Sequence, residues 1–210
     1  MKHRFKAVRN ALAAAAVAAS LLTINPAAAL AEPGADPATA SDATKSLAEI
    51  TGLPTTVTTL ADGVVLEAVD PEAAAAYEAQ LAPDSYPCNS ACDDKSPYYI
   101  WHPPGGPSEY FSCVEGSYPK YSLFSGNDRV YLQYSPRCRS VWARGPHAYN
   151  FVVRSWDGSS LRKQRYTESV SSSGDMSYVY TVMLNDKNLK ADVCSGGASG
   201  PVTSHCTAKF

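Results

Sequence analysis

The chain has 210 residues, with 18 lysines and arginines against 20 aspartates and glutamates, a formal net charge of −2. That near balance excludes the dense basic footprint of a nucleic-acid binder. Beyond the first thirty residues no apolar run is long enough to span a bilayer.

The first stretch, MKHRFKAVRN, carries Lys2, Arg4, Lys6 and Arg9 without an acid, and the uncharged run ALAAAAVAASLLTI follows. Ala29-Leu30-Ala31 then places small residues where a signal peptidase reads them. Residues 1–31 are therefore expected to be a secretory signal, its run too short for a membrane anchor. The mature protein is expected to be secreted, extracellular and soluble, from Glu32 onward.

Residues 32–85 hold ten acids and one base (Lys45), a net of −9, whereas residues 86–210 hold thirteen bases and ten acids, a net of +3. All six cysteines, all three tryptophans and twelve of the thirteen tyrosines lie in the second part. This asymmetry predicts an acidic Ala/Pro-rich arm, 32–85, joined to one aromatic domain, 86–210. In the arm, SDATKSLAEITGLP predicts a short helix capped by Ser41 or Asp42 and ended by Gly52 and Pro54. TTVTTLADGVVLEAV predicts a hairpin turning at Asp62-Gly63. DPEAAAAYEAQL predicts a helix with Asp70 as cap and Pro71 in its first turn. Such an arm can fold but is too small to do so unaided.

The domain opens on a loop, CNSACDDKSPYYIWHPPGGP, whose prolines exclude long regular structure. RVYLQYS (129–135) alternates with Val130, Leu132 and Tyr134 on one face, and AYNFVVRSW (148–156) with Tyr149, Phe151 and Val153. SLRKQRYTESV reads as a polar strand after the turn at Asp157-Gly158. MSYVYTVML reads as a strand with Tyr178, Tyr180 and Val182 together, and LKADVC follows the turn NDKN. The spacing predicts a mainly β fold, a small antiparallel sandwich or barrel. The basic cluster RKQR at 162–165 reads as a solvated strand or turn.

Cys88, Cys92, Cys113, Cys138, Cys194 and Cys206 are expected to form three disulfides, as an even set in a secreted domain does. Cys194 and Cys206 flank a flexible GGASGP stretch and are expected to pair. The other four then pair among themselves and pin the start of the domain to its body. In YSPRCRSVWARG (134–145), Ser135-Pro136 starts a tight turn or a short helix, and in either geometry Cys138 and Trp142 point to one side. Arg137, Arg139 and Arg144 are expected to cover aromatic edges or carboxylates.

Arginines beside Cys138 would favour a thiolate, but an oxidised sulfur cannot attack, so a structural role is expected. The cysteines and histidines supply zinc-ligand types without compact paired spacing. SGGASGP (195–201) lacks the residues of a nucleophilic serine loop. Glu109, Glu115, Asp128, Asp157 and Asp175 form no recognisable catalytic pair, and neither Asp93-Asp94 nor Asp157-Gly158 has the repeated oxygens of a calcium loop. The chain is expected to be no enzyme, with no catalytic residue, metal or cofactor.

YLQYSPRCRSVWARG together with the upstream CDDKSP resembles the secreted YjfA-like family of Gram-positive bacteria. The residues that carry the resemblance are Cys92, Asp94, Lys95, Pro97, Tyr134, Ser135, Cys138, Trp142, Ala143 and Arg144. It covers roughly the first half of the aromatic domain, and implies secretion and a disulfide-held β domain without an activity. The chain departs from the pattern in its SP dipeptide and in its arm. An acidic arm before a six-cysteine domain also resembles the small connector subunits of large secreted bacterial toxin particles, with no motif to quote.

Aromatics are in surplus. Tyr98, Tyr99 and Trp101 on a proline-braced loop suit a sugar or peptide face. Val57, Val64 and Leu66 of the hairpin suit docking by strand addition. The expected function is a non-enzymatic interaction or adaptor module whose arm docks on another secreted protein. Two alternatives are a secreted inhibitor or enzyme whose arm is a removable propeptide, and a binder of cell-wall polysaccharide. Neither nucleic acid nor membrane is an expected partner.

Overall fold

The computed structural model describes residues 45–81, 87–102, 110–125, 128–146, 149–167, 178–196 and 203–210. The expected leader, residues 1–31, and the expected caps Ser41 and Asp42 lie outside them.

The described chain begins with helix α1, Leu47–Thr51. Its cap is Ser46, whose hydroxyl accepts from Glu49 N while the Glu49 carboxylate accepts from Ser46 N, a reciprocal capping box. The short helix thus starts later than the sequence suggested. Gly52 closes it in the left-handed region at φ 69°, as expected. Strands β1 (Thr55–Thr59) and β2 (Val65–Val69) form the expected hairpin, with Gly63 at φ 84° in its turn. Helix α2, Pro71–Leu81, is capped by Asp70, which accepts from Glu72 N and Ala73 N at 3.0 Å each.

A 3-10 turn at Asn89–Cys92 precedes the short strands β3 (Ile100–Trp101) and β4 (Phe111–Ser112). Then come β5 (Tyr118–Ser125), β6 (Asp128–Ser135), β7 (Ser140–Pro146), β8 (Phe151–Asp157), β9 (Ser160–Tyr166), β10 (Tyr178–Tyr180), β11 (Leu184–Asn185), β12 (Lys190–Ser195) and β13 (His205–Cys206). All described pairings are antiparallel. One sheet runs β1-β2-β5-β6-β7-β10, with β11 also on β7, and a second runs β13-β12-β8-β9, while β3 and β4 pair alone. Val130, Leu132 and Tyr134 of β6, Val141 and Ala143 of β7, Phe151 and Val153 of β8 and Ala191 and Val193 of β12 share one core. The fold is the expected mainly β, antiparallel one, with two sheets around a common core.

The arm belongs to that body. β2 pairs directly with β5, and Glu32–Phe210 makes one compact unit. Glu67 of β2 is buried, where its carboxylate accepts from Leu47 N (2.7 Å), from Ser122 Oγ (3.1 Å) and from the equally buried Arg129 guanidinium. One acid therefore joins α1, β2, β5 and β6. Residues too few to fold alone complete the sheet that gives them a core.

Three other expectations change. Residues 136–144 are not one turn or helix: a tight turn, closed by Arg139 N on Ser135 O at 2.8 Å, is followed by β7 in the middle of the sheet. The turn costs one residue at positive φ, Arg139 at 53°. YPKYSLFS, passed over in the sequence, is β5, in register with β6 apart from a bulge between Pro119 and Tyr121. MSYVYTVML is split, because Met183 N leaves the sheet to bond Lys95 O at 2.8 Å. On β6, Arg129, Tyr131 and Gln133 are buried as well as Val130, Leu132 and Tyr134. A strand covered on both faces erases the alternation that sequence reading relies on.

All six cysteines are paired, as Cys88–Cys92, Cys113–Cys138 and Cys194–Cys206. The last is the expected pair. Cys88–Cys92 is local, so the start of the domain is held to the body not by that bond but by Cys88 N donating to Cys138 O at 3.1 Å.

Candidate functional site

Four cysteines form the floor of the best candidate. The Sγ atoms of Cys88, Cys92, Cys113 and Cys138 lie within 4.8 Å of one another, and all four residues are buried. Phe111, Trp142 and Met183 pack around them. The sequence grouped these four as pairing among themselves, and they do; that the two bonds lie side by side is set by the turn at 136–139 and the 3-10 turn, which meet from fifty residues apart. In disulfide form the sulfurs offer no thiolate; reduced, they are the residues that could hold a soft metal ion.

The loop above that floor is anchored where it begins. Asp94 N donates to Met183 O at 3.0 Å, and the Asp93 carboxylate accepts from Asn185 N at 2.7 Å. Asp93 also accepts from Arg162 (2.6 Å), while Asp94 accepts from Lys163 (2.8 Å) and Arg165 (2.5 Å). RKQR is thus a strand, as one reading of it held, and its cations are spent on this acidic pair. Hydrogen bonds from Arg165 and Lys163 hold the Asp94 carboxyl down to about 2. Asp94 takes a positive φ of 68°, which turns the chain from the ion pairs towards β3.

The segment that follows presents its rings outward. Tyr98, Tyr99, Ile100 and Tyr110 are exposed, Tyr110 by 70%. Tyr98 leans on Tyr180 with centroids 5.3 Å apart, His102 on Tyr110 at 4.8 Å, and Lys95 Nζ stands 5.4 Å over the Tyr99 ring. Pairing of Ile100 with Ser112 and of Trp101 with Phe111 fixes the segment to β4, next to Cys113. The result is an aromatic face on a cross-linked base. Of the residues named from sequence, Tyr98 and Tyr99 come together here in the turn that leads into β3, on which Trp101 lies beside Ile100; Ile100 and Tyr110 were missed. The single signal for Tyr110 was its place in the only other aromatic pair nearby, Tyr110-Phe111.

The remaining named residues are placed elsewhere. Val57 is exposed on β1, whereas Val64 is buried in the core and Leu66 packs against it. Of the three hairpin residues, Val57 faces outward and the other two serve the chain's own interior. Tyr134 is a core ring, Trp142 walls the sulfur cluster, and Arg144 is buried on β7. Cys138 and Trp142 do share a side. Arg137 covers the Phe111 ring at 3.8 Å and reaches Glu115 at 3.4 Å.

Groups with chemical potential are scattered. Cys138 is fully buried and bonded to Cys113. His102 stacks on Tyr110, and His205 meets Asp62 at 2.5 Å. His147, Glu109, Asp175 and most of SGGASGP lie outside the described residues. Asp186 is a buried, perturbed acid that sequence reading missed. Burial pushes its carboxyl up to about 7 against the pull of Arg139 and Lys120, and its Oδ1 has no partner. It directly follows β11, its N–H donating to Arg139 O at 2.9 Å.

Comparison with curated proteins and with solved structures finds no match to this chain. A family profile matches residues 90–194, half of the chain, which takes in three of the four floor cysteines, the Asp93-Asp94 anchor and the whole aromatic face. The chain belongs to the family described as "Protein of unknown function (DUF2690)".

Proposed function

We propose that this protein is a secreted, non-enzymatic interaction module that holds its aromatic face against another extracellular protein. The observation that carries the reading is the exposure of Tyr98, Tyr99, Ile100 and Tyr110 on a unit braced by two adjacent disulfides and by the Asp93-Asp94 ion pairs. Tyrosines of low conformational freedom on a rigid base are what protein interfaces use as anchors, and preorganisation lowers the cost of ordering them. Secretion is supported by the leader, by three disulfides and by the absence, among the described residues, of a helix long and apolar enough to cross a membrane. Narrower kinship with the YjfA-like proteins rests on CDDKSP and YSPRCRSVWAR, and a place in a toxin particle on the arm alone.

The test is affinity capture from culture medium with the intact protein as bait, beside a Tyr99→Ala/Ile100→Asp variant of unchanged circular dichroism. A partner held by the first and lost by the second is expected; equal capture by both overturns the reading. A second reading, binding to wall polysaccharide, is favoured by the openness of the Tyr110 ring, since sugars stack on flat faces. Retention on insoluble wall material, lost in Tyr110→Ala and Trp101→Ala, decides for it. The propeptide alternative is disfavoured by the place of β2 inside the main sheet, so N-terminal sequencing of exported protein is expected to give a start near Glu32 and not near Tyr86.

A further inference from the structure

The second outward feature lies at the edge of the main sheet opposite β10, whose Tyr180 meets Tyr98. β1 ends the main sheet, and four of its five residues are exposed, Val57 by 60%. Natural edge strands carry lysine, proline, a bulge or an inward charge against unwanted pairing. β9, the edge of the second sheet, follows this rule with Arg162, Lys163 and Arg165. β1 is Thr-Thr-Val-Thr-Thr, without a charge, proline or bulge, and of high strand propensity.

Which backbone groups are free can be read from its inner side. Leu60 N donates to Val64 O and Asp70 N to Pro54 O, both at 2.8 Å, so even-numbered residues from 54 to 60 direct their backbone at β2. Thr55, Val57 and Thr59 therefore turn N–H and C=O to the outer edge, where no described strand pairs with them. The sequence is also a palindrome about Val57. Set antiparallel on a copy of itself with Val57 on the two-fold axis, Val57 meets Val57 and Thr55 meets Thr59. All the outward residues then fall in hydrogen-bonded pairs, each exchanging both bonds.

We infer that β1 is a self-pairing edge: two copies of this chain join at Thr55–Thr59 into one continuous sheet around a dyad at Val57. The charges agree with a dyad. Continuing the register sets Pro54 against Leu60, Leu53 against Ala61 and Gly52 against Asp62, with no like charges opposed, and the Asp62 carboxylate is already hydrogen-bonded to His205. Strand pairs of Thr with Thr and of Val with Val are favourable. An isologous contact of this kind closes after two copies and does not propagate. Five residues a side bury less than the roughly 1,200 Å² of a standard interface, so the dimer is weak, with a Kd on the order of tens to hundreds of micromolar.

Sedimentation equilibrium of the disulfide-intact protein from about 5 µM to 1 mM tests this beside two variants. Val57→Pro removes an outward N–H and leaves the bonds to β2 in place, as edge prolines do; Val57→Lys adds like charges across the axis. Reversible dimerisation of the native protein, weakened at least tenfold in both variants while their melting curves stay near native, is expected. A monomer throughout the range, or a dimer indifferent to both substitutions, overturns it. A monomer that dimerises only after removal of residues 32–44 also overturns it, and assigns the edge to that segment. The aromatic face plays no part in this contact, so loss of either leaves the other standing.

Discussion

Replacing Glu67 by alanine tests the claim that the arm is part of the body. The carboxylate is almost wholly buried and takes hydrogen bonds from Leu47 N, Ser122 Oγ and Arg129, whose own Nε already lacks a partner. Removing it leaves a buried guanidinium without a counter-charge and two more donors without an acceptor. Breaking such a pair from one side costs about 3–5 kcal/mol. At roughly 2–4 °C per kcal/mol for a chain of this size, the midpoint should fall by about 6–20 °C. Urea unfolding with the disulfides intact measures the loss, and hydrogen exchange should show α1, β1 and β2 opening first. Glu67→Gln keeps an acceptor and should lose less. Glu67→Met with Arg129→Met removes both charges and should lie within about 1 kcal/mol of the native protein. If Glu67→Ala costs under about 1 kcal/mol, the pair is no joint, and the reasoning that fuses arm to domain fails.

Asp186 should set a pH dependence. Its folded carboxyl is raised to about 7 from 3.8, so the folded chain keeps a proton that the unfolded chain has lost. That contribution is complete below about pH 4 and disappears as pH rises through about 7. Asp186→Asn should therefore add on the order of 2–4 kcal/mol at pH 8 and nothing at pH 4, read from urea curves at the two values; an equal gain at both refutes the titration. Among the disulfides, Cys113–Cys138 spans 25 residues and Cys88–Cys92 only 4. Loop entropy predicts losses of about 3.5 and about 2 kcal/mol for the paired alanine substitutions, and the reverse order in thermal melts would contradict it. Gly145→Ala places a Cβ 2.8 Å from the Phe151 ring and 3.0 Å from Val130. Overpacking there should cost about 1–3 kcal/mol, rescued in part by Phe151→Leu.

Local signals in the sequence determined the local structure. Asp62-Gly63, Asp70-Pro71 and Gly52 each act on their nearest neighbours through φ preference or a single hydrogen bond, so the hairpin and both arm helices are legible without the rest of the chain. Cys194–Cys206 is legible for the same reason, its partners being joined by one short flexible loop. Tertiary structure decided what depends on distant partners. β5 and β7 escape sequence reading because both are interior to the main sheet, where neighbours on two sides and two faces override propensity. That four cysteines pair among themselves is legible too, but their connectivity and the closeness of the two bonds are not, because residues 88–92, 113 and 138 are brought together by long-range contacts. The sequence shows a tyrosine-rich loop and an arm; it does not show that the loop's rings stay outside while the arm goes in. That division follows from where buried area and paired backbone are available: β5 offers β2 a hydrogen-bonding edge and Arg129 of β6 gives Glu67 a counter-charge, whereas β3 and β4 pair with each other, and the residues that flank them, Tyr98, Tyr99 and Tyr110, stay exposed.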